Sequence, residues 1–284
     1  MTLQTISREV ERIHTGQSVS DGAGVKLQRV LTQPLQQRLD PFLMLDEFGS
    51  DSADDYIAGF PDHPHRGFET VTYMLEGLMR HRDSAGNEGV LGPGDVQWMT
   101  AGRGVVHSEM PEQTAGRMRG FQLWVNLPAR LKMTEPRYRG IAASEIPRVS
   151  PAPGVDVLLI AGELEGRQGA VDGIATDPLY LDIALTDAVN TTLPIAEGYH
   201  AFLYVYEGDV SVGEHGRPVG KGQMAILDQA PGRLGVKLCT QHAARLLLIA
   251  GRPINEPIAQ WGPFVMNSRE ELEQAFHDYN NGLF

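Results

Sequence analysis

The apolar runs of this chain are all short, and turn residues separate them. The longest, VLLIAG from Val157 and LLLIAG from Leu246, have the length of a strand. Neither approaches the roughly 20 residues that a membrane-spanning helix needs. Glycine and proline account for 32 and 18 of the 284 residues, which suits a chain with many tight turns. Short runs at this spacing are typical of a β-sandwich or barrel. The sequence therefore predicts an all-β protein without a membrane partner, and its strand-like runs include FETVTYMLEG, DVQWMT, FQLWVNLP, LYLDIAL and AFLYVYEGDVSVG.

One segment near the end of the chain has the pattern of a helix instead. Ser268 and Glu271 have the spacing of a capping box, and apolar residues follow at helical intervals from Leu272 to Tyr279. We expect an amphipathic C-terminal helix that covers one surface of a barrel.

The two halves of the chain share a weak internal repeat. YMLEG at 73–77 resembles YVYEG at 204–208, and GPGDVQWMT at 92–100 resembles GKGQMAILD at 220–228. In both halves a strand ends at a glycine, a hairpin follows, and G-x-G opens a new strand. The shared order and spacing favour a duplication over chance.

The repeat predicts two domains of similar architecture. The basic, proline-containing stretch at 127–140 is the expected connector. We therefore place the domain boundaries at 1–133 and 134–284, with the C-terminal helix in the second domain.

Charge and cysteine content restrict the partners and the compartment. The net charge of −12 is poorly suited to binding a phosphate backbone, so no direct nucleic acid binding is expected, although local contact or contact through a partner stays open. Cys239 is the only cysteine, which rules out an intrachain disulfide and fits a reducing compartment. The first residues, MTLQTISREVERIHTG, carry charges where a signal peptide needs an apolar run. These observations predict a cytoplasmic protein.

Two histidines stand two residues apart at the start of a strand-like segment, FPDHPHRGFETVTYMLEG. Alternation along a strand points His63 and His65 to the same face, with their Cα atoms about 6–7 Å apart. That separation suits two ligands of one metal ion, and it equally suits two surface histidines without a function.

A second pair with the same spacing favours the metal. His107 and Glu109 lie two residues apart in TAGRGVVHSEMP, after a glycine-rich turn. Together with His63 and His65 they offer three neutral imidazoles and one carboxylate. Such a set suits Fe(II), Mn, Ni, Cu or Zn and leaves positions open for exogenous ligands. The remaining histidines lack this context, and we expect them to be surface or structural residues.

At this point the sequence resembles a known family. An H-x-H pair, a glutamate, a glycine turn, G-x-G and a later histidine are similar to the two-part motif of cupins. Within that superfamily the pirins are the best match, through HPHRGFETVTYMLEG, GDVQWMTAGRGVVHSEMP and NEPIAQWGPFVMN, and the resemblance spans nearly the whole chain. It implies two antiparallel β-barrel (cupin) domains facing each other, with one metal in the first domain only. The metal ligands of the family correspond to His63, His65, His107 and Glu109.

The sequence departs from the general cupin pattern around Glu69. The spacing from Glu69 to Gly77 is one residue longer than usual, and four residues separate Gly102 from His107; pirins share both departures. Because of these departures we interpret Glu69 as a carboxylate beside the ligands or at a lid, although its alternation phase matches that of His65. Direct ligation by Glu69 is the alternative.

The second half lacks the corresponding ligands. Matching Gly208 to Gly77 places Pro194 and Ala196 at the positions of the first histidine pair. Matching Gly222 to Gly94 places Gly235 and Lys237 at the positions of His107 and Glu109. The second domain is therefore expected to be structural or to serve as a binding surface.

The resemblance also implies an activity. Several pirins cleave quercetin and other flavonols with O2 and release carbon monoxide, as quercetin 2,3-dioxygenases. In that interpretation one divalent transition metal, best Fe(II), binds a flavonol-like substrate, and Glu109 serves as a ligand and catalytic base. The competing interpretation is a non-catalytic, redox-sensing co-regulator that acts on a protein partner. We expect part of the cavity lining to come from Phe68, Tyr73, Met74, Trp98 and Met99.

Overall fold

The computed structural model describes residues 6–284, which form two compact units. Residues 17–143 and 254–284 form what we call the first unit, and residues 6–16 and 144–253 form the second unit. Each unit is built on a seven-stranded sheet and a smaller one. The predicted all-β class with one C-terminal helix is thereby confirmed.

The first 143 residues contain thirteen strands and a single turn of α-helix within the described part. In chain order these are β1 (Ile6–Ser7), β2 (Val10–Thr15), β3 (Gln17–Asp21), β4 (Val25–Leu31), α1 (Gln36–Leu39), β5 (Phe42–Ser50), β6 (Phe60–His65), β7 (Phe68–Glu76), β8 (Met79–Asp83), β9 (Glu88–Leu91), β10 (Val96–Thr100), β11 (Val105–Pro111), β12 (Met118–Asn126) and β13 (Arg137–Ile141).

The rest of the chain adds fourteen strands and the long helix. These are β14 (Arg148–Ala152), β15 (Val155–Ala161), β16 (Glu163–Leu164), β17 (Arg167–Gln168), β18 (Leu179–Leu185), β19 (Asn190–Pro194), β20 (His200–Glu207), β21 (Asp209–Val212), β22 (Arg217–Gly220), β23 (Gln223–Leu227), β24 (Arg233–Cys239), β25 (Ala244–Gly251), β26 (Ala259–Trp261), β27 (Phe264–Met266) and α2 (Arg269–Asn280).

The first unit carries its candidate site between two antiparallel sheets. The larger has the strand order β13-β10-β7-β12-β5-β4-β3, and the smaller has the order β6-β11-β8-β9. The strands β26 and β27 form a separate hairpin in the same unit. One buried cluster of this unit contains Val25, Leu27, Phe48, Met74 and Met79.

The second unit repeats this plan. Its larger sheet has the order β14-β15-β18-β25-β20-β23-β2, and a smaller sheet is built around β24. The neighbours β23-β20-β25-β18 correspond in order to β10-β7-β12-β5, so the predicted repeat is present in the topology. The inner strands alternate apolar residues into one large core. That the two domains face each other stays a prediction.

The compact units depart from the predicted domains 1–133 and 134–284, of which residues 1–5 lie outside the described part. The strand β2 pairs with β23 of the second unit, and β13 pairs with β10 of the first. Residues 254–284, with α2, belong to the first unit rather than to the second. The ends of the chain have therefore exchanged units, and the connection through residue 140 stays within the first.

The helix α2 begins as its sequence predicts. The Ser268 hydroxyl accepts a hydrogen bond from the backbone N–H of Glu271, and the Glu271 carboxylate accepts one from the backbone N–H of Ser268. The helix buries Leu272 and Ala275 against Phe264 of β27. No helix of the described residues is long and apolar enough to cross a bilayer.

Candidate metal centre

Three histidines converge where β6 and β11 pair. His63 and His107 are direct cross-strand partners, and His65 is opposite Val105. Alternation places His63 and His65 on one face of β6, as predicted. The ligand-capable nitrogen atoms of His63, His65 and His107 all lie within 4.8 Å of one another, and within residues 6–284 this is the one such group of histidine, cysteine and acidic residues.

The imidazoles are packed closely and one is already oriented. The centroid of the His63 ring lies 4.7 Å from that of His65 and 4.4 Å from that of His107. Nδ1 of His63 is 2.8 Å from the carbonyl oxygen of Pro61. If Nδ1 donates to this carbonyl, Nε2 keeps its lone pair free for a metal, an arrangement that fixes tautomer and ring orientation in many metal sites.

Buried nitrogens without partners show that this cluster fits a cation. Nδ1 of His65 and both ring nitrogens of His107 are buried and have no hydrogen-bond partner among the described residues. Burial, followed by the charges of neighbouring histidines, lowers the pKa of His65 and of His107 well below the usual value. Both rings are therefore neutral at pH 7, which is the form that ligates metals. A divalent ion would bind one nitrogen of each ring, and an unpartnered nitrogen is costly to bury.

Glu109 lies beside the cluster but is held by two other side chains. One carboxylate oxygen is 2.8 Å from Oγ1 of Thr72, and the other is 3.2 Å from Nε2 of Gln122. Oγ1 of Thr72 is also 2.6 Å from the side-chain oxygen of Gln122. The Glu109 carboxylate does not belong to the group of ligand atoms within 4.8 Å of one another, which contains only the three histidines. Ligation by Glu109 therefore stays a prediction.

The hydrogen atoms of this triangle can be counted. Three contacts need three hydrogens, and Thr72 and Gln122 supply one each. The third must come from Glu109, so the triangle is complete when that carboxyl group is protonated. Burial also raises the pKa of Glu109, partly offset by the nearby His63. A bound cation favours the ionised carboxylate, so metal binding at this centre would release a proton.

Glu69 points away from the histidines, contrary to the alternation phase that we inferred from His65. Gly67 adopts a φ of +89° between the end of β6 and the start of β7, and this turn breaks the phase. Along β7, Phe68 packs on the His65 ring and Thr72 contacts Glu109, so Glu69 lies on the opposite face. Its carboxylate accepts a hydrogen bond from Thr100.

A cavity of about 660 Å³ opens beside the histidines, a volume typical of small-molecule sites. His63, His65 and Glu109 form part of its wall. None of the five residues that we expected in the lining contributes to it; Phe68 packs against the His65 ring, and Met74 packs in one cluster with the lining residues Leu27, Phe48 and Met79. The cavity is lined instead by the apolar residues Leu27, Met44, Phe48, Phe60, Met79 and Trp124 and by the polar residues Arg29, Gln33, Asp46, Gln122 and Gln260.

Lys132 binds the turn at Gly67, between β6 and β7, and the sequence did not indicate this role. This side chain is 1% exposed, and its ammonium group donates to the carbonyls of Gly67 and Val265 and to the side chain of Asn126. Only the tertiary structure brings these three acceptors together. Thr72 lies in a strand whose residues 68–74 are all buried, and a buried polar side chain usually has a hydrogen-bond partner.

The positions in the second unit that correspond to His63 and His107 carry other residues. Pro194 and Gly235 are cross-strand partners on β19 and β24, just as His63 and His107 are on β6 and β11. Neither has a side chain that can ligate a metal. The side chain of Lys237 forms an ion pair with Glu214.

Comparison with known proteins agrees with this architecture. Residues 24–125 match the family model described as pirin, and residues 180–284 match the pirin C-terminal cupin domain. A Pseudomonas aeruginosa protein named "putative quercetin 2,3-dioxygenase" is 52% identical over 281 residues, which cover 97% of this chain and 98% of that protein. A pirin-like protein of Caulobacter vibrioides is also 52% identical, over 98% of this chain and 99% of its own.

A solved structure agrees at the level of the whole chain. The crystal structure of a quercetin 2,3-dioxygenase from Acinetobacter baumannii has a TM-score of 0.91 and 34% sequence identity, with 98% of both chains covered. The two cupin domains expected from the sequence are thus supported by both sequence and structure.

Proposed function

Because the chain belongs to the pirin family, we propose that it is a metal-dependent dioxygenase that opens the heterocyclic ring of flavonols such as quercetin. In this reaction both atoms of O2 enter the product and one ring carbon leaves as carbon monoxide. One observation carries the proposal: His63 and His65 of the three-histidine cluster, together with Glu109, form part of the wall of a 660 Å³ cavity that also has aromatic lining. That volume is adequate for a ligand of three rings.

The proposed metal is Fe(II), held by His63, His65 and His107, with Glu109 as the predicted fourth ligand. The same donors also suit Mn, Ni, Cu or Zn. When bound, such an ion supplies Lewis acidity toward an enol oxygen and redox chemistry toward O2.

The side chains of this chain then orient the substrate and hold its proton. Glu109, ionised when a cation is bound, is placed to accept the proton of the substrate hydroxyl nearest the centre. Thr72 and Gln122 fix the direction of that carboxylate through their hydrogen bonds. Phe60, Trp124 and the other apolar walls keep water from the reacting ring.

Aerobic turnover tests the proposal. We expect the metal-loaded protein to consume quercetin and O2 and to release carbon monoxide in equal amounts. His107→Ala removes a buried ligand and should abolish release, whereas His277→Ala, on the exposed surface of α2, should leave it unchanged. Bound metal without carbon monoxide release across a panel of flavonols would contradict the proposal.

A second candidate is a redox-sensing co-regulator that acts through a protein partner. The observation that favours it lies next to the cluster: Arg66, which follows His65, forms an ion pair with Asp278 of α2 and stacks on the ring of Phe284 at 4.4 Å. Arg66 thus joins the end of the strand that carries His65 to a helix with an exposed face. A stoichiometric partner retained by the iron-loaded protein and lost from His107→Ala would favour this role.

A further inference from the structure

The cavity has a second polar group, distinct from the histidines and Glu109. Nε and Nη2 of Arg29 donate to the two carboxylate oxygens of Asp46, at 3.0 and 2.7 Å, and Nη2 also donates to Asp21. Asp46 is buried, so this bidentate pair is rigidly held. Nη1 of Arg29 donates no hydrogen bond within residues 6–284, and the Arg29 side chain lines the cavity.

The sheet register places this group at a distance from the metal centre. Arg29 is the cross-strand partner of Asp46, and Asp46 is that of Gln122, so all three project from one face of the sheet. Gln122 contacts Glu109. Two strand spacings separate Arg29 from Gln122, which is about 10 Å. A planar ligand that reaches Glu109 with one end can therefore reach Arg29 with the other.

The charges around Arg29 select what can bind there. Asp21, Asp46 and Asp62 all contribute to the cavity wall, against the single guanidinium of Arg29. An anionic group would meet a surplus of carboxylates. A hydroxyl group meets both of its needs, since its oxygen accepts from Nη1 of Arg29 and its proton donates to a carboxylate such as that of Asp21.

We propose that Arg29, held by Asp46 and Asp21, binds the hydroxyl groups of the pendant phenyl ring of the flavonol, here called the remote ring. It would so select neutral, polyhydroxylated aromatic substrates over aromatic acids. This subsite rests on the proposed function for the class of its ligand. It adds a specificity determinant that acts on binding rather than on the chemical step.

Anaerobic binding to the metal-loaded protein tests the subsite without turnover. The probes are quercetin, with two hydroxyls on its remote ring, and 3,5,7-trihydroxyflavone, which lacks both. We expect the wild type to bind quercetin at least about 10-fold more tightly than 3,5,7-trihydroxyflavone, which is the effect of one charge-assisted hydrogen bond. A third probe, the same flavonol with a carboxylate on the remote ring, should bind more weakly than trihydroxyflavone.

The variant Arg29→Met/Asp46→Leu replaces the ion pair by apolar groups and avoids an unpaired buried charge. We expect its preference for quercetin to fall below about threefold, with little change for trihydroxyflavone. If this variant does not fold, Arg29→Lys is the alternative, because lysine keeps the positive charge but cannot donate two parallel hydrogen bonds. The preference of Arg29→Lys for quercetin should also fall. Gln28→Ala is the matched control, because Gln28 lies on the same strand and bonds to Ser18 outside the cavity.

The outcomes separate the two proposals. An undiminished preference in the variants, or tighter binding of the carboxylate probe, would overturn the Arg29 subsite and leave the dioxygenase proposal standing. Binding with the expected preference but without aerobic turnover would overturn the dioxygenase proposal alone. No flavonol binding at all by the metal-loaded wild type would overturn both.

Discussion

Two buried glutamates lie near the histidines, and their hydrogen bonds separate their roles. Glu109 lines the cavity and is oriented by Thr72 and Gln122, whereas Glu69 bonds to Thr100 on the other face of β7. Under the same chelator challenge, Glu109→Ala should therefore lose metal markedly. Glu69→Ala should weaken metal binding by about 10-fold at most, because Glu69 lies on the other face of β7 and bonds to Thr100 rather than to the histidines. Metal occupancy by elemental analysis measures both.

Each of these two variants serves as the control for the other, since both remove one buried carboxylate. Metal loss from Glu69→Ala with retention in Glu109→Ala would show that the ligand assignment is wrong. Equal loss from both would point to general destabilisation, which thermal unfolding of the metal-free proteins would reveal.

Lys132 predicts a pH dependence of stability. Burial lowers its pKa to about 7, although the carboxylates of Glu256 and Glu271 oppose this. Between pH 7 and the usual lysine value of about 10.4, the unfolded chain therefore binds more protons than the folded one. The free energy of unfolding, taken relative to Lys132→Met, should rise across this interval by a few kcal/mol, roughly 1.4 kcal/mol per unit of pKa shift.

Urea unfolding of both proteins from pH 7 to pH 9.5 measures this difference. A difference that does not change with pH would show that the three oxygen acceptors of Lys132 keep its ammonium group charged in the folded protein.

At the residue scale, the three histidines could be predicted because strand alternation is local. His63 and His65 share a face whatever else the chain does. The roles of Thr72, Gln122 and Lys132 could not, since they depend on cross-strand register and on contacts between distant segments. Glu69 was misplaced because one glycine turn interrupts the alternation.

Among the elements, the turn between β6 and β7 is the most constrained by its neighbours. A Cβ atom on Gly67 would lie 2.0 Å from the carbonyl oxygen of Val265, and its φ of +89° disfavours any other residue. Gly67→Ala should therefore destabilise the protein by more than about 3 kcal/mol and reduce metal occupancy, since it combines strain with a clash.

Gly86 offers a matched control for this substitution. Its φ is +88°, yet a Cβ atom there would meet nothing within 4 Å. Gly86→Ala should cost only about 1 kcal/mol of backbone strain and should keep the metal. Similar losses from the two variants, measured by urea unfolding and elemental analysis, would mean that the packing of Gly67 on Val265 does not support the site.

Most elements were predictable because their signals are local. The capping box of α2 and the alternation in β7 and β20 are contained within a few residues. The pairing of β2 with β23 joins segments more than 200 residues apart, and no local pattern indicates it. For the same reason no local pattern indicates that α2 packs in the first compact unit.

At the scale of the molecule, the compact units rather than the sequence repeat should define what folds. A fragment of residues 1–133 contains all four predicted ligands but lacks β13, β26, β27 and α2. We expect it to bind no metal. Residues 17–143 expressed together with residues 254–284 restore the first unit and should recover metal binding, measured by elemental analysis and circular dichroism. Full metal binding by the shorter fragment alone would contradict this division.

The whole chain should bind one metal ion. Pro194 and Gly235 occupy the second-unit positions of His63 and His107, so only the first unit offers a cluster of donors among the described residues. Elemental analysis of protein from iron-replete cells should give a ratio near one, and near zero for His107→Ala. A ratio near two would require a second site that the structure does not predict.

The exchange of chain ends sets a schedule for biosynthesis. The ribosome makes the three histidines first and then roughly 110 residues of the second unit. Only after these does it make the segment with Val265, whose carbonyl accepts a hydrogen bond from Lys132. At about 5–20 residues per second, the delay from His107 to Val265 lasts roughly 8–30 s. The nascent chain thus contains the three histidines before it contains Val265, which packs against Gly67 and Lys132. We therefore expect the ions present around the finished chain, rather than those present when the histidines are synthesised, to determine which metal is bound.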